Sequence, residues 1–260
     1  MNDDPKWYDS LWLSAYYAAK DIVARVAPGR MEEFVRSFDV LRTSPDFSAR
    51  HLPQIIGPAL LEQIREVVRA IPREKYELHE MQSFGRFIVH DYPEITALQA
   101  TLVDQVSEWA GEAVEPSYNF LSLYTRMGVC EPHLDSPSAK WTLDICLDQS
   151  EPWSIHFSQI VPWPEQQPRL SDDWREEIKA NDLLQFRALE LHPGDAILFS
   201  GSSQWHYRDA LPRDGVKRHC DLIFLHFIPR GTGEIVRPAN WPRLFGIPEL
   251  AEIPNLEKAF

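Results

Sequence analysis

His133-Leu134-Asp135 is the grouping in this sequence best placed to do chemistry. In an extended chain the side chains at positions i and i+2 leave on the same side, so His133 and Asp135 can hold one metal ion between them. His206 offers a third donor. It follows the apolar run Ala196-Ile197-Leu198-Phe199 and the small-residue turn Ser200-Gly201-Ser202. Two imidazoles and one carboxylate on one face suit non-haem Fe(II) and leave coordination positions open for substrates. The triplet alone carries little weight, because 9 histidines and 39 acidic residues generate such pairs by chance. Its context adds to it. The turn Leu191-His192-Pro193-Gly194-Asp195 feeds the apolar strand that delivers His206, and Arg218 then opens another strand as Arg218-His219-Cys220. A fixed cation beside a metal asks for an anionic ligand. Arg126, Lys217 and Arg208 compete with Arg218 for that part.

Together these pieces resemble the Fe(II)/2-oxoglutarate-dependent dioxygenases, in which HxD is followed by a distant His and then by an Arg or Lys. The matching stretches are Tyr124 through Gly128 to His133-Leu134-Asp135, Trp141-Thr142-Leu143, Pro193 through Phe199, His206 and Arg218-His219-Cys220. The resemblance implies an α+β protein with a double-stranded β-helix core of the jelly-roll or cupin-like kind. It implies His133, Asp135 and His206 as the iron ligands, O2 as co-substrate, and Arg218 paired with the distal carboxylate of 2-oxoglutarate. Tyr124 and Thr142 are placed like hydroxyls that assist this carboxylate in relatives. Asn119 fits similar work, and all three fit a solvent-facing or sheet-packing place equally well. Related halogenases carry Gly or Ala at the carboxylate position. Asp135 therefore favours hydroxylation of an unactivated C–H bond, or another oxidation, over chlorination, with release of succinate and CO2. Two other readings stay open: a cupin-like metal dioxygenase without 2-oxoglutarate, and a non-catalytic ligand-binding barrel.

The elements that must position these groups fall into two kinds. Through about residue 115 the chain reads as helical. Trp12, Tyr16, Ala19, Val23 and Val26 form one stripe stopped by Pro28-Gly29, and Met31, Phe34, Val35 and Phe38 form a short second one. Leu60, Leu61, Ile64, Val67, Val68 and Ile71 form a third, ended by Pro72, and Ile95, Leu98, Leu102, Val106 and Trp109 a fourth, ended near Gly111. After Pro116 the pattern changes. Residues 118–125, 141–147, 153–158, 195–200 and 218–228 are short runs rich in aromatic and branched residues, separated by Gly, Pro and Asp, which predicts a largely antiparallel sheet structure. The expected organisation is a helical region over 1–115 packed on the barrel, a catalytic core over 116–235 and a tail over 236–260. A lid insertion over about 148–190 carries Trp153, Trp163 and Trp174, with a helix cap predicted at Ser171. His156, His219 and His226 are expected to be structural.

Composition narrows the remaining choices. With 260 residues, 44% of them hydrophobic, the chain can bury a full core, which excludes disorder as its main state. Lys and Arg number 26 against 39 Asp and Glu, a net charge of −13 that disfavours nucleic acid as a partner. No membrane partner is expected. No apolar run is long enough to span a bilayer, and the opening Met1-Asn2-Asp3-Asp4-Pro5 lacks the order of a secretory signal, so a cytoplasmic location is expected. Cys130, Cys146 and Cys220 form no CxxC pair and read as reduced. The expected substrate is a small molecule or an amino-acid or peptidyl group, acted on by a monomer or homodimer.

Overall fold

A computed structural model describes residues 10–163, 171–254 and 256. Helices α1 (Ser10–Val26) and α2 (Met31–Ser37) lead into β1 (Arg50–Leu52), α3 (Pro58–Ala70) and β2 (Arg86–His90). Helices α4 (Pro93–Thr101) and α5 (Val103–Ala110) follow. The strand-rich part comprises β3 (Val114–Tyr124), β4 (Cys130–His133), β5 (Trp141–Gln149) and β6 (Ile155–Ile160). After a short helix α6 (Trp174–Lys179) come β7 (Arg187–Leu189), β8 (Ala196–Phe199), β9 (Gln204–Arg208) and β10 (Cys220–Pro229), then helix α7 (Trp241–Phe245).

The strands form two antiparallel sheets, one ordered β1-β8-β5-β10-β3-β2 and the other β4-β9-β6-β7. From β3 to β10 the chain crosses repeatedly between them. Period-two alternation then assigns each side chain to a layer. On β5, Leu143, Ile145 and Leu147 pack outward with Leu61, Ile64 and Val106 of the helices. Cys146 instead packs with Phe157, Phe199, Leu222 and Phe224 between the sheets. On β9, Trp205 joins a third cluster with residues of α1, α2 and α7, which leaves His206 and Arg208 facing between the sheets.

Helices α1, α2 and α3 lie where the apolar periodicity predicts them. The fourth stripe is two helices, because Leu102 at φ −98°, ψ 0° interrupts it. Gly111 ends α5 at φ 77°, a left-handed conformation that glycine adopts at little cost. The front region is not purely helical: β1 and β2 add to the two edges of the larger sheet. The stretch over 148–190 contains β6 and β7 of the smaller sheet, and residues 164–170 of it lie outside the described part. Trp153 sits in the core between the sheets, while Trp163 and Trp174 pack with α1. Ser171 does not cap α6; its hydroxyl donates to Glu177 at 2.7 Å, and the N-cap position belongs to Asp173. The described residues after 236 are packed rather than trailing. Trp241 is fully buried against Trp12, Phe34 and Phe38.

Candidate metal centre

Strands β4 and β9 pair so that His133 and His206 are direct cross-strand partners, with ring centroids 4.2 Å apart. Asp135 follows just beyond β4, and its amide donates to the carbonyl of Gly201 at 2.9 Å. The turn ahead of β9 thereby holds the carboxylate against both imidazoles. His133 Nε2 lies 3.4 Å from Asp135 Oδ1, and His206 Nε2 lies 3.8 Å from Asp135 Oδ2. One ligand atom from each residue falls within 4.8 Å of the others.

The outer hydrogen bonds fix which nitrogens face the centre. His133 Nδ1 is 2.8 Å from the Glu131 carbonyl and His206 Nδ1 is 2.9 Å from the Gln204 carbonyl. A carbonyl only accepts, so each Nδ1 carries a proton, and Nε2 is the nitrogen each ring would offer a metal, the arrangement usual for metal-binding histidines. Without an ion, burial opposes the charged form of His133, yet Cys130 and Asp135 raise its imidazole well above the ordinary value. Burial pushes the His206 imidazole down to about 4, so it is neutral near pH 7. Burial disfavours the Asp135 carboxylate, but His206 and His133 outweigh it and hold the group below the usual carboxylate range. Two neutral-capable imidazoles and one ionised carboxylate fit a divalent transition metal such as Fe(II).

These three residues line a cavity of about 290 Å³ between the sheets, at the small end of the usual range for ligand pockets. Tyr118, Phe120, Phe224, Arg86, Tyr124, Cys130 and Arg208 line it as well. Among the predicted co-substrate residues, Tyr124 is in this cavity. Thr142 is buried on β5, bonded at 3.0 Å to His226 Nδ1. Asn119 Nδ2 donates to Thr96 and Gln99, at 3.0 and 2.9 Å, and its buried Oδ1 has no partner among the described residues. Neither lines the cavity.

Arg218 is a correction to the sequence expectation. Its guanidinium bonds Glu151, the Pro212 carbonyl at 3.3 Å and both oxygens of Asp214, and it does not line the cavity. It precedes β10 in a loop rich in acidic partners, and those partners hold it. The cations that do line the cavity are Arg86 and Arg208. Arg208 had surfaced in the sequence as a competing cation. Arg86 had not, because no motif surrounds it, and only the pairing of Arg86 with Tyr124 across β2 and β3 brings it in.

His226, expected to be structural, is bonded to Thr142 and also reaches the cavity. It stacks on Tyr118 at 4.2 Å and leaves its buried Nε2 without a hydrogen-bond partner among the described residues. Alternation along β10 from Phe224 was the signal for it in the sequence. His156 stacks on Tyr207 at 4.5 Å, and His219 lies beside Asp148 at 3.3 Å.

Comparison with known proteins adds the fold. No protein-family model matches the chain, and no curated protein sequence matches it. Among solved structures it resembles the non-heme alpha-ketoglutarate-dependent carbocyclase SnoK of nogalamycin biosynthesis, with TM-score 0.53 and 13% identity, covering 76% of this chain and 90% of that one. It resembles the epimerase SnoN of the same biosynthesis, with TM-score 0.52 and 14% identity over 81% and 90% of the two chains. It also resembles HygX from Streptomyces hygroscopicus, solved with nickel, 2-oxoglutarate and hygromycin B, with TM-score 0.51 and 12% identity over 76% and 86%. The chain shares the fold of these 2-oxoglutarate-dependent enzymes. Among the described residues, no helix is long and apolar enough to cross a membrane.

Proposed function

We propose that the protein is a non-haem Fe(II)- and 2-oxoglutarate-dependent oxygenase, built on a double-stranded β-helix, that hydroxylates a C–H bond of a small molecule. The observation that carries this reading is the convergence of His133 Nε2, His206 Nε2 and the Asp135 carboxylate in a cavity between two sheets, with both Nδ1 atoms tied to backbone carbonyls. The shared fold with SnoK, SnoN and HygX supports it.

Bound iron with 2-oxoglutarate and O2 supplies an oxidant strong enough to take hydrogen from an unactivated C–H bond, leaving succinate and CO2. The chain's own residues do the rest. His133, Asp135 and His206 would hold the ion at the cavity they line. Tyr118, Phe120 and Phe224 form an aromatic wall on β3 and β10, with the Phe120 and Phe224 rings stacked at 5.0 Å. That wall excludes water and suits an apolar part of the substrate. The buried Nε2 of His226 is a single polar contact on the same wall, available to a substrate hydroxyl or carbonyl.

The test is turnover of purified protein with Fe(II), O2 and 2-oxoglutarate. Succinate release is expected, stimulated by a substrate from a panel of small metabolites. His133→Ala and Asp135→Ala are expected to abolish Fe(II) binding while the circular dichroism spectrum stays unchanged. Normal iron affinity in both variants would overturn the assignment.

A further inference from the structure

We propose that His226 selects the substrate, its Nε2–H donating to a carbonyl oxygen carried beside an apolar ring. This deepens the oxygenase reading above and rests on it. The imidazole is 3% exposed and lines the cavity that holds the triad, and its Nε2 is buried without a partner among the described residues. Buried polar atoms in native proteins are nearly always satisfied. An imidazole kept for packing alone would have both nitrogens partnered, whereas this one leaves a nitrogen open on a cavity wall.

The backbone aims the ring. Leu225 pairs with Asn119 and Phe227 with Pro116, so that β10 has one residue, His226, where β3 has two, Ser117 and Tyr118. Such a bulge re-aims side chains and is frequent beside active sites. The carbonyls of Tyr118 and His226 at this irregularity both accept from Gln99 Nε2, at 3.0 and 2.7 Å, and Gln99 Oε1 accepts from Asn119 Nδ2 at 2.9 Å. Buried polar side chains thus maintain a local departure from the sheet that places one imidazole. That place is far along the wall from Tyr124 and Arg86. Tyr124 pairs with Cys220 and Arg86, Phe120 pairs with Phe224, and His226 lies beyond them.

The other ring nitrogen decides what His226 can bind. Thr142, its cross-strand partner on β5, is fully buried, and Thr142 Oγ1 lies 3.0 Å from Nδ1. This hydroxyl has no second partner among the described residues and does not line the cavity. With the proton on Nδ1, the hydroxyl hydrogen would be sealed in the interior without an acceptor. With the hydroxyl donating to Nδ1, the ring proton sits on Nε2, where a ligand can accept it. Burial keeps the imidazole neutral near pH 7, so the wall offers an uncharged donor, which suits a carbonyl oxygen. Tyr118 and Phe120 lie 4.2 and 5.4 Å from the imidazole with their planes at 26° and 32° to it, a surface that suits a flat apolar group.

The probes are acetophenone and 2-phenylpropene, which share size and shape and differ in C=O against C=CH2. Binding is followed on protein loaded with Zn(II) and 2-oxoglutarate, with nitrogen-15 NMR of labelled histidines at pH 7; Zn(II) stands in for iron because it is diamagnetic. The wild type is expected to carry the His226 proton on Nε2 and to shift that N–H signal with acetophenone alone. It should bind acetophenone roughly tenfold more tightly than 2-phenylpropene, the scale of one hydrogen bond to a donor otherwise left unpaired. His226→Phe should erase the preference while Zn(II) and 2-oxoglutarate still bind. His226→Gln, which keeps an N–H donor, should recover part of it, and Thr142→Val should weaken it by freeing the tautomer. A proton on Nδ1, equal or absent binding of the two probes in the wild type, or a preference that survives His226→Phe would overturn the proposal. Absence of succinate release with Fe(II) and O2, beside an intact acetophenone preference, would instead sink the oxygenase reading.

Discussion

Gly201 packs directly against Asp135. A methyl group on its Cα would fall inside contact distance of Asp135 Oδ2, 3.0 Å from Asp135 Cγ and 2.6 Å from the Ala139 carbonyl oxygen. The carboxylate is therefore seated on a residue that has no side chain, and the Gly201 carbonyl holds the Asp135 amide. Glycine is needed here for space.

Gly201→Ala should displace the carboxylate without removing it. Metal affinity is expected to fall by roughly 10- to 100-fold, as when an outer partner of a metal ligand is lost. Titration with Fe(II) or Co(II) measures this. An unchanged affinity would show that the turn yields instead.

The Asp144–Arg208 pair makes a separate prediction about stability. Both groups are almost entirely buried, and Asp144 Oδ1 has no partner among the described residues. Asp144→Asn leaves Arg208 charged in the interior and should cost roughly 3–5 kcal/mol in urea unfolding. Replacing both, as Asp144→Leu with Arg208→Met, should recover most of that loss, because the desolvation penalty disappears with the charges.

The buried His226 gives the fold a pH dependence. Burial pushes its imidazole down to about 4 from an ordinary 6.5, so between those values the unfolded chain binds the extra proton and the folded one does not. Stability from this group is whole above about pH 6.5 and declines as the pH falls toward 4, by roughly 1.4 kcal/mol per unit at most. In urea unfolding at pH 7, 5.5 and 4.5, His226→Phe should lose less stability on acidification than the wild type. Identical slopes would show that His226 does not contribute.

Trp241 anchors the C-terminal helix. Its ring meets those of Trp12 at 5.5 Å and Phe38 at 5.2 Å, and its Nε1 donates to the Ile235 carbonyl at 2.7 Å. Trp241→Ala should cost roughly 3–5 kcal/mol. It should also open α1 to protease before the sheets, which limited proteolysis would detect.

The parts of this molecule legible in the sequence are those with a local signal. His133 and Asp135 share a face because they are two apart, and α1 and α3 follow from their apolar stripes. Strands β4, β7 and β9 are 4, 3 and 5 residues long, too short for alternation to stand out. Arg218 looked correct by spacing alone, yet spacing along the chain says nothing of the acidic residues that capture it. Arg86 and His226 reach the cavity through strand register, which is a property of pairing between distant segments. Asn119 and Thr142, expected among the co-substrate residues, do not line the cavity, and their bonds to Thr96, Gln99 and His226 form only through pairing of distant segments.

The indole of Trp12 donates to the backbone carbonyl of Val236 at 2.9 Å, and its ring packs on Trp241. Helix α1 thus precedes by more than two hundred positions the residues that complete the cover of its apolar stripe. At ordinary translation speeds that interval is on the order of tens of seconds, during which α1 has only Phe34 and Phe38 of α2 against its apolar stripe.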